Sequence, residues 1–177
     1  FYCFSYSLLE KLSAWAEDIK VKDLGYISPD AVALKNQLQK KLGAVVLCSH
    51  LGNTEMLRAL ASLEAGISLP HFQINSIVDF SGTTRFNRLL KEINPKSMLR
   101  LVSASSIGAE TIIDLSQRLD DGELVIVAAD RTAAKNQLKS GTVNFLGKQA
   151  RFPLGAFVLA SLLNAPIYHM FAVREQD

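Results

Sequence analysis

Short apolar runs alternate with segments of helical spacing along most of the chain. The runs at residues 44–48 and 124–129 are almost continuously apolar, which indicates strands buried on both faces. Strands alternating with helices of this length predict an α/β fold, with a mixed, mostly parallel sheet flanked by helices. Two further strands are predicted at residues 71–78 and 98–102, and helices at residues 8–19, 28–42, 53–66, 84–93 and 107–119.

Residues 154–173 carry no charge and are about as long as a membrane span of ~20 residues. The sequence Asn164-Ala165-Pro166 interrupts this stretch. Helical spacing precedes the interruption and a β-rich run follows it, so we expect a helix, a turn and a strand inside a folded core.

The chain has 177 residues, which favours a single domain, and its net charge of +2 does not indicate a nucleic-acid partner. We expect residues 1–42 to form a helical amino-terminal part and residues 43–177 to form the α/β core. No signal peptide is visible, and the ends of the chain suggest an excised fragment, which leaves open a targeting or membrane segment outside it. Cys3 and Cys48 are far apart and have no metal-ligand spacing, which favours a reducing compartment and neither a disulfide scaffold nor a zinc site.

Between Arg131 and Arg151 the charged residues are all basic: Arg131, Lys135, Lys139, Lys148 and Arg151. This pattern is typical of a solvated loop. It is equally typical of a basic rim that attracts an acidic partner or an anionic membrane surface.

The strongest candidate site begins where the strand at residues 44–48 ends. His50 follows this strand, Gly52 permits a sharp turn, and Asn53 is a good N-cap for the next helix. A turn between strand and helix lets Glu55 point back at the imidazole, where its carboxylate would fix the tautomer and stabilise an imidazolium. The spacing therefore predicts His50 as a general base with Glu55 as its partner, although a buried structural histidine would give the same spacing.

Other catalytic arrangements fit less well. Ser49 and His50 are adjacent on a strand and should point to opposite faces, and Cys48 lies inside an apolar run where an inert core cysteine is common. The three histidines are scattered, so no metal site is expected. The sequence also lacks the nucleophile elbow, the Walker motif and the dinucleotide-binding fingerprint.

The run His50-Leu-Gly-Asn-Thr-Glu55 resembles the His-x4-Asp/Glu signature of lysophospholipid acyltransferases, in the form found in the bacterial late acyltransferases of lipid A synthesis. Residues 120–131, 143–147, 152–155 and 164–168 with Arg174 resemble further elements of that branch, so the likeness covers about residues 43–175. Residues 85–95 and Asp130-Arg131-Thr132 are similar to the predicted acyltransferases of aryl-polyene lipid synthesis.

This resemblance implies a glycerolipid acyltransferase-like fold and direct acyl transfer from an acyl thioester, on acyl carrier protein or coenzyme A, to a hydroxyl of a lipid or glycolipid. It implies no cofactor beyond that co-substrate. His50 and Glu55 would be catalytic, and Gly52, Asn53, Arg85, Arg88, Asp130 and Arg131 would bind substrate. Arg85 and Arg88 compete for the role of holding an anionic group or the oxyanion, and Asp130 would support the site or bind the acceptor.

The resemblance also implies a place at the cytoplasmic face of the bacterial inner membrane, peripheral or anchored by a missing segment, with the membrane surface as a partner. Two alternatives remain at this point: a lipid- or acyl-binding module without catalysis, and a thioesterase.

Overall fold

The computed structural model describes residues 2–15, 28–54, 73–79, 99–131 and 140–173. Its helices, labelled in chain order, are α1 (Tyr2–Trp15), α2 (Pro29–Gln39), α3 (Ala109–Asp120) and α4 (Gly155–Leu163), with a short 3₁₀ turn at Ala104–Ser106. The strands are β1 (Ala44–Gly52), β2 (Ile74–Val78), β3 (Leu99–Ser103), β4 (Leu124–Ala128), β5 (Ser140–Phe145), β6 (Lys148–Pro153) and β7 (Ile167–Ala172).

Five of these strands form one sheet in the order β3-β2-β4-β1-β7. Every pairing within it is parallel, whereas β5 and β6 form a separate antiparallel hairpin. The predicted α/β class with a mostly parallel sheet is therefore confirmed. β1 and β4 are central neighbours, and they pair in a register that sets Ala44 opposite Leu124 and Cys48 opposite Ala128.

Each face of the sheet packs on a different set of helices. Val45 and Leu47 of β1 face α3 and α4, together with Val125 and Val127 of β4. The alternate residues of both strands face α2, where Leu34 and Leu38 cover them. Because successive side chains of a strand point to opposite faces, two apolar layers require the continuous apolar runs seen in the sequence.

The helix boundaries follow local signals. The Ser28 hydroxyl accepts a hydrogen bond from the Asp30 N–H at 3.3 Å, and Pro29 occupies the first turn of α2, as the sequence predicts. Helix α1 begins at Tyr2, earlier than the predicted residue 8. The helices predicted at residues 53–66 and 84–93 lie outside the described residues, apart from helical Thr54.

The uncharged stretch at residues 154–173 divides into α4 and β7, as predicted. Asn164 ends α4 in the left-handed conformation with φ of 48°, and β7 starts at Ile167. Within the described part of the chain, no helix combines the length and the hydropathy that crossing a membrane requires.

The basic stretch contains a hairpin that the sequence reading missed. Residues 140–153 are not a solvated loop, because β5 and β6 pair along their whole length from Ser140 opposite Pro153 to Phe145 opposite Lys148. Leu146 and Gly147 form the two-residue turn, both with positive φ. Such a turn matches the right-handed twist of the flanking strands.

A buried amide joins β2 to its neighbours. Asn75 is fully buried, and its Nδ2 donates to Glu123 Oε2 at 2.8 Å and to the Leu124 carbonyl at 3.1 Å. Its Oδ1 accepts from the Arg118 guanidinium at 2.6 Å. These bonds tie β2, the start of β4 and the last turn of α3 together, which fixes the register of the central strands.

Candidate active site

The register of β1 against β4 brings two ionisable side chains together at the carboxyl edge of the sheet. The first five residues of β1 each pair with the residue 80 positions later, from Ala44 with Leu124 to Cys48 with Ala128. One more ladder bond, from the Ala129 N–H to the Cys48 carbonyl at 2.9 Å, extends the alignment. His50 and Asp130 therefore lie side by side just beyond the paired segments.

A bulge in β1 moves His50 out of the sheet. Cys48 pairs with Met170 and Gly52 with Ala172, so residues 49–51 of β1 stand against residue 171 alone. Extra residues of this kind bend a strand and re-aim its side chains. The Leu51 N–H donates to the Ser49 hydroxyl at 3.2 Å, which holds the bulge from within.

Gly52 closes the bulge, and no other residue fits there. Its φ is +83°, and a Cβ at this position would overlap the Ala172 carbonyl group. Its close approach to β7 returns the chain to the ladder, so the structure gives this predicted substrate-binding residue a clear backbone role.

The Asp130 carboxylate contacts both the imidazole ring and the backbone N–H of His50. The imidazole Nδ1 lies 3.0 Å from Asp130 Oδ1, and the His50 backbone N–H donates to Oδ2 at 2.8 Å. An ionised carboxylate only accepts hydrogen bonds, so the proton of a neutral imidazole stays on Nδ1 and Nε2 keeps its lone pair. The His50 side chain is 38% exposed and the Asp130 side chain is 24% exposed, so the pair is open to solvent.

The same contacts keep Asp130 ionised. Burial alone would raise the pKa of the Asp130 carboxyl. The hydrogen bonds from the His50 ring and backbone outweigh it, with a smaller contribution from the charge of the ring, and hold that pKa below the ordinary aspartate value. A carboxylate that stays charged can stabilise a positive imidazolium.

Asn53 links the site to the amino-terminal helix. Its side chain is buried and donates to Glu10 Oε2 of α1 at 3.1 Å, while its backbone N–H donates to the Ala172 carbonyl at 2.9 Å. Thr54 begins the next helix, as predicted. Asn53 therefore holds α1 against the carboxyl edge, beside the bulge that carries His50.

The remaining predicted site residues divide into two groups. Glu55, Arg85 and Arg88 lie outside the described residues, so their predicted roles stay predictions. Arg131 is exposed beside Asp130, and among the described ion pairs Asp130 pairs with His50 rather than with Arg131.

Cys48 and Ser49 lie next to His50, and the surroundings of neither favour a nucleophile. Cys48 is buried in the core layer under α2, and the Ser49 hydroxyl accepts a local backbone N–H. Among the described residues, no group of three His, Cys, Asp or Glu side chains could hold a metal ion.

The sequence reading named Asp130 but missed its contact with His50. The available signal was that a titratable side chain follows each apolar run, two residues after Cys48 in one and two residues after Ala128 in the other. That signal becomes useful only once β1 and β4 are known to be neighbours, and two strands of the sheet separate them along the chain.

A parallel sheet with a histidine–carboxylate pair at its carboxyl edge has the groups that general acid–base chemistry uses in enzymes. The sequence profile of the bacterial lipid A biosynthesis acyltransferases matches residues 10–177. The chain belongs to this family, which makes it an acyltransferase that acts with an acyl donor and a lipid acceptor. No curated protein matches the chain with significance.

Proposed function

We propose that this enzyme transfers a fatty acyl group from an acyl thioester, with acyl carrier protein as the donor, to a hydroxyl of a lipid or glycolipid. The observation that carries the proposal is the 3.0 Å contact between His50 Nδ1 and Asp130 Oδ1, which leaves Nε2 as the basic nitrogen. The acyl thioester is the co-substrate, and the reaction needs no other cofactor.

The reaction proceeds in two balanced steps. Nε2 of His50 takes the proton of the acceptor hydroxyl while the oxygen attacks the thioester carbonyl carbon, and a tetrahedral oxyanion forms. The carbon–sulfur bond then breaks, and the leaving thiolate receives the proton from Nε2. The acyl group never bonds to the enzyme, and Asp130 stabilises the imidazolium between the steps.

Two carboxylates compete for the role beside His50. The family resemblance supports Glu55, whereas the described contacts support Asp130. Nδ1 carries a single proton and donates it best to one carboxylate. We assign this role to Asp130 on the strength of its contacts with the ring and the backbone of His50, and keep Glu55 as the competing assignment.

Basic residues supply the charge that the substrates require. We propose that Arg85 or Arg88 binds an anionic group of the acceptor or the oxyanion, and that Arg131, exposed next to Asp130, contacts a phosphate of donor or acceptor. We also propose that the enzyme works at the cytoplasmic face of the bacterial inner membrane, where a bilayer-resident acceptor would be within reach. A lipid A precursor or an aryl-polyene lipid has the chemistry expected of that acceptor.

A His50→Ala variant tests the central assignment. General-base loss typically costs ~10²-fold or more, so acyl transfer from acyl carrier protein to a lipid acceptor should fall by at least that factor while the circular dichroism spectrum stays unchanged. His169→Ala is the matched control, since His169 is exposed on β7 and takes no part in the proposed reaction. Near wild-type transfer by folded His50→Ala would refute the mechanism.

The exposure of His50 also favours a second candidate, thioester hydrolysis. With 38% of its side chain exposed, the imidazole could activate water in place of a lipid hydroxyl. Mass spectrometry of the products separates the possibilities: acylated lipid supports the transferase, free fatty acid supports the thioesterase, and unchanged thioester indicates a binding module without catalysis.

A further inference from the structure

The β5–β6 hairpin has one apolar and one polar face. Directly paired residues of an antiparallel ladder share a face, so the register assigns every side chain of the hairpin to one of two sets. One face carries Gly141 with Phe152, Val143 with Ala150, and Phe145 with Lys148; the other carries Ser140 with Pro153, Thr142 with Arg151, and Asn144 with Gln149.

The apolar face is left largely open to solvent. Val143 and Phe145 are each about half exposed, and Phe145 meets Phe152 edge-on with 5.5 Å between ring centres. A packed core would cover such rings, so this face is shaped for an apolar surface outside the fold.

Leu146 at the tip is the least expected residue of the hairpin. Its φ is +51°, a conformation that costs an ordinary L-residue ~1 kcal/mol or more, and the residue is 89% exposed. Asparagine suits both the backbone and the solvent better at this turn position. Neither folding nor solubility explains a leucine at this position, whereas contact with an apolar surface outside the protein would explain it.

Cations flank this apolar tip. Lys148 stands opposite Phe145 on the apolar face, where its methylene chain can lie along the ring while the ammonium reaches past it. Arg151 lies on the polar face, and residues 131–151 contain no acidic side chain. Apolar side chains beside cations match the acyl-chain boundary and the head groups of an anionic bilayer, whereas an acidic protein would need only the cations.

The hairpin and the active site share one edge of the sheet. Helix α4 ends at Leu163, and after three intervening residues β7 starts parallel to β1, so α4 runs back against the strands from the carboxyl edge. The hairpin lies between Asp130 and the start of α4 at Gly155, and both ends of this segment are therefore at the edge that carries His50.

We propose that the tip of the β5–β6 hairpin inserts into the surface of an anionic phospholipid membrane and holds the active-site edge against it. This inference rests on the proposed function and extends it, because it names the element that brings the enzyme to an acceptor in the bilayer. The vesicle test below requires no acyl transfer, so it can fail or succeed independently of the catalytic proposal.

The test compares binding of the whole chain to phosphatidylglycerol-containing vesicles and to pure phosphatidylcholine vesicles by co-sedimentation. Leu146→Asn should lower the partition coefficient of the protein onto the vesicles about tenfold or more. This is the loss expected when a leucine side chain is no longer transferred from water into the membrane. Lys148→Gln should weaken binding to the anionic vesicles about fivefold and leave binding to neutral vesicles unchanged.

Leu42→Asn is the matched control, because Leu42 is 54% exposed at the opposite edge of the sheet, just before β1. It should bind vesicles as the wild type does. Thermal unfolding of Leu146→Asn should occur at an equal or higher temperature than in the wild type, since asparagine relieves the left-handed turn.

Three outcomes would overturn the proposal. One is equal vesicle binding by Leu146→Asn and wild type. The second is a loss of binding by Leu146→Asn that parallels a loss of folded protein. The third is unchanged vesicle binding with a raised KM for acyl carrier protein in Lys148→Gln, which would assign the hairpin to carrier docking.

Discussion

Asp130→Asn isolates the contribution of the carboxylate that contacts His50. The substitution keeps the size of the side chain and removes its charge. An asparagine oxygen can still accept the His50 backbone N–H, but its amide nitrogen then faces the ring and donates to Nδ1. That bond selects the tautomer whose Nε2 carries the proton, which cannot act as a base.

The distance between the two groups sets the size of the effect. At 3.0 Å, an imidazolium and a carboxylate attract each other by about 1.4 kcal/mol in bulk water and about 5.5 kcal/mol at an effective dielectric constant of 20. The pair is partly exposed, which places the contribution between these limits. We expect kcat/KM of Asp130→Asn to fall by roughly 10²- to 10³-fold, the middle of that interval.

The assay measures initial rates of acyl transfer from acyl carrier protein for the wild type, Asp130→Asn, His50→Ala and the double variant. If Asp130 acts through His50, its substitution should cost less than about threefold in the His50→Ala background, because residues that act as a unit are strongly non-additive. Glu55→Gln completes the set. A loss confined to Glu55→Gln, with Asp130→Asn within about twofold of wild type, would refute the assignment of Asp130.

Three further predictions concern stability. Gly52→Ala should destabilise the fold by more than ~2 kcal/mol in urea unfolding and abolish transfer, because the left-handed backbone and the Ala172 carbonyl leave no room for a methyl group; a stable, active variant would contradict this geometry. Asn75→Ala should lower the unfolding free energy by about 2–3 kcal/mol, because its buried partners lose their hydrogen bonds. The KM for the acyl donor should stay normal, because these bonds lie away from His50. The Asp130 pKa is lower in the folded protein than in the unfolded chain, so its ionisation stabilises the fold above ~pH 4 and the benefit disappears as pH falls through the folded pKa. The stability difference between wild type and Asp130→Asn should therefore be constant at neutral pH and shrink in acid, and a difference that grows on acidification would show the opposite shift.

Periodicity and local signals predict much of this fold. Two continuous apolar runs give β1 and β4, the Ser28-Pro29 start gives α2, and Asn164 separates α4 from β7. These features depend on neighbouring residues, so a single sequence contains them. The position of His50 near the carboxyl end of an apolar strand is predicted for the same reason.

The missed features have physical causes too. The contact between His50 and Asp130 depends on which strands are neighbours, and hydrophobic periodicity carries no information about sheet order. The hairpin lacks the usual Asn-Gly turn signal because Leu146 occupies the first turn position. The basic residues around the hairpin are typical of a solvated loop, so they give no indication of two paired strands.

The pairing of β1 with β4 makes the active site a product of long-range assembly. Asp130 is 80 residues from His50 along the chain, so this carboxylate meets the imidazole only once β4 pairs with β1. Connections between the strands can lengthen at little thermodynamic cost. The register of β4 against β1 cannot shift by one residue without loss of the site, because such a slip would turn Asp130 toward the opposite face and separate it from His50.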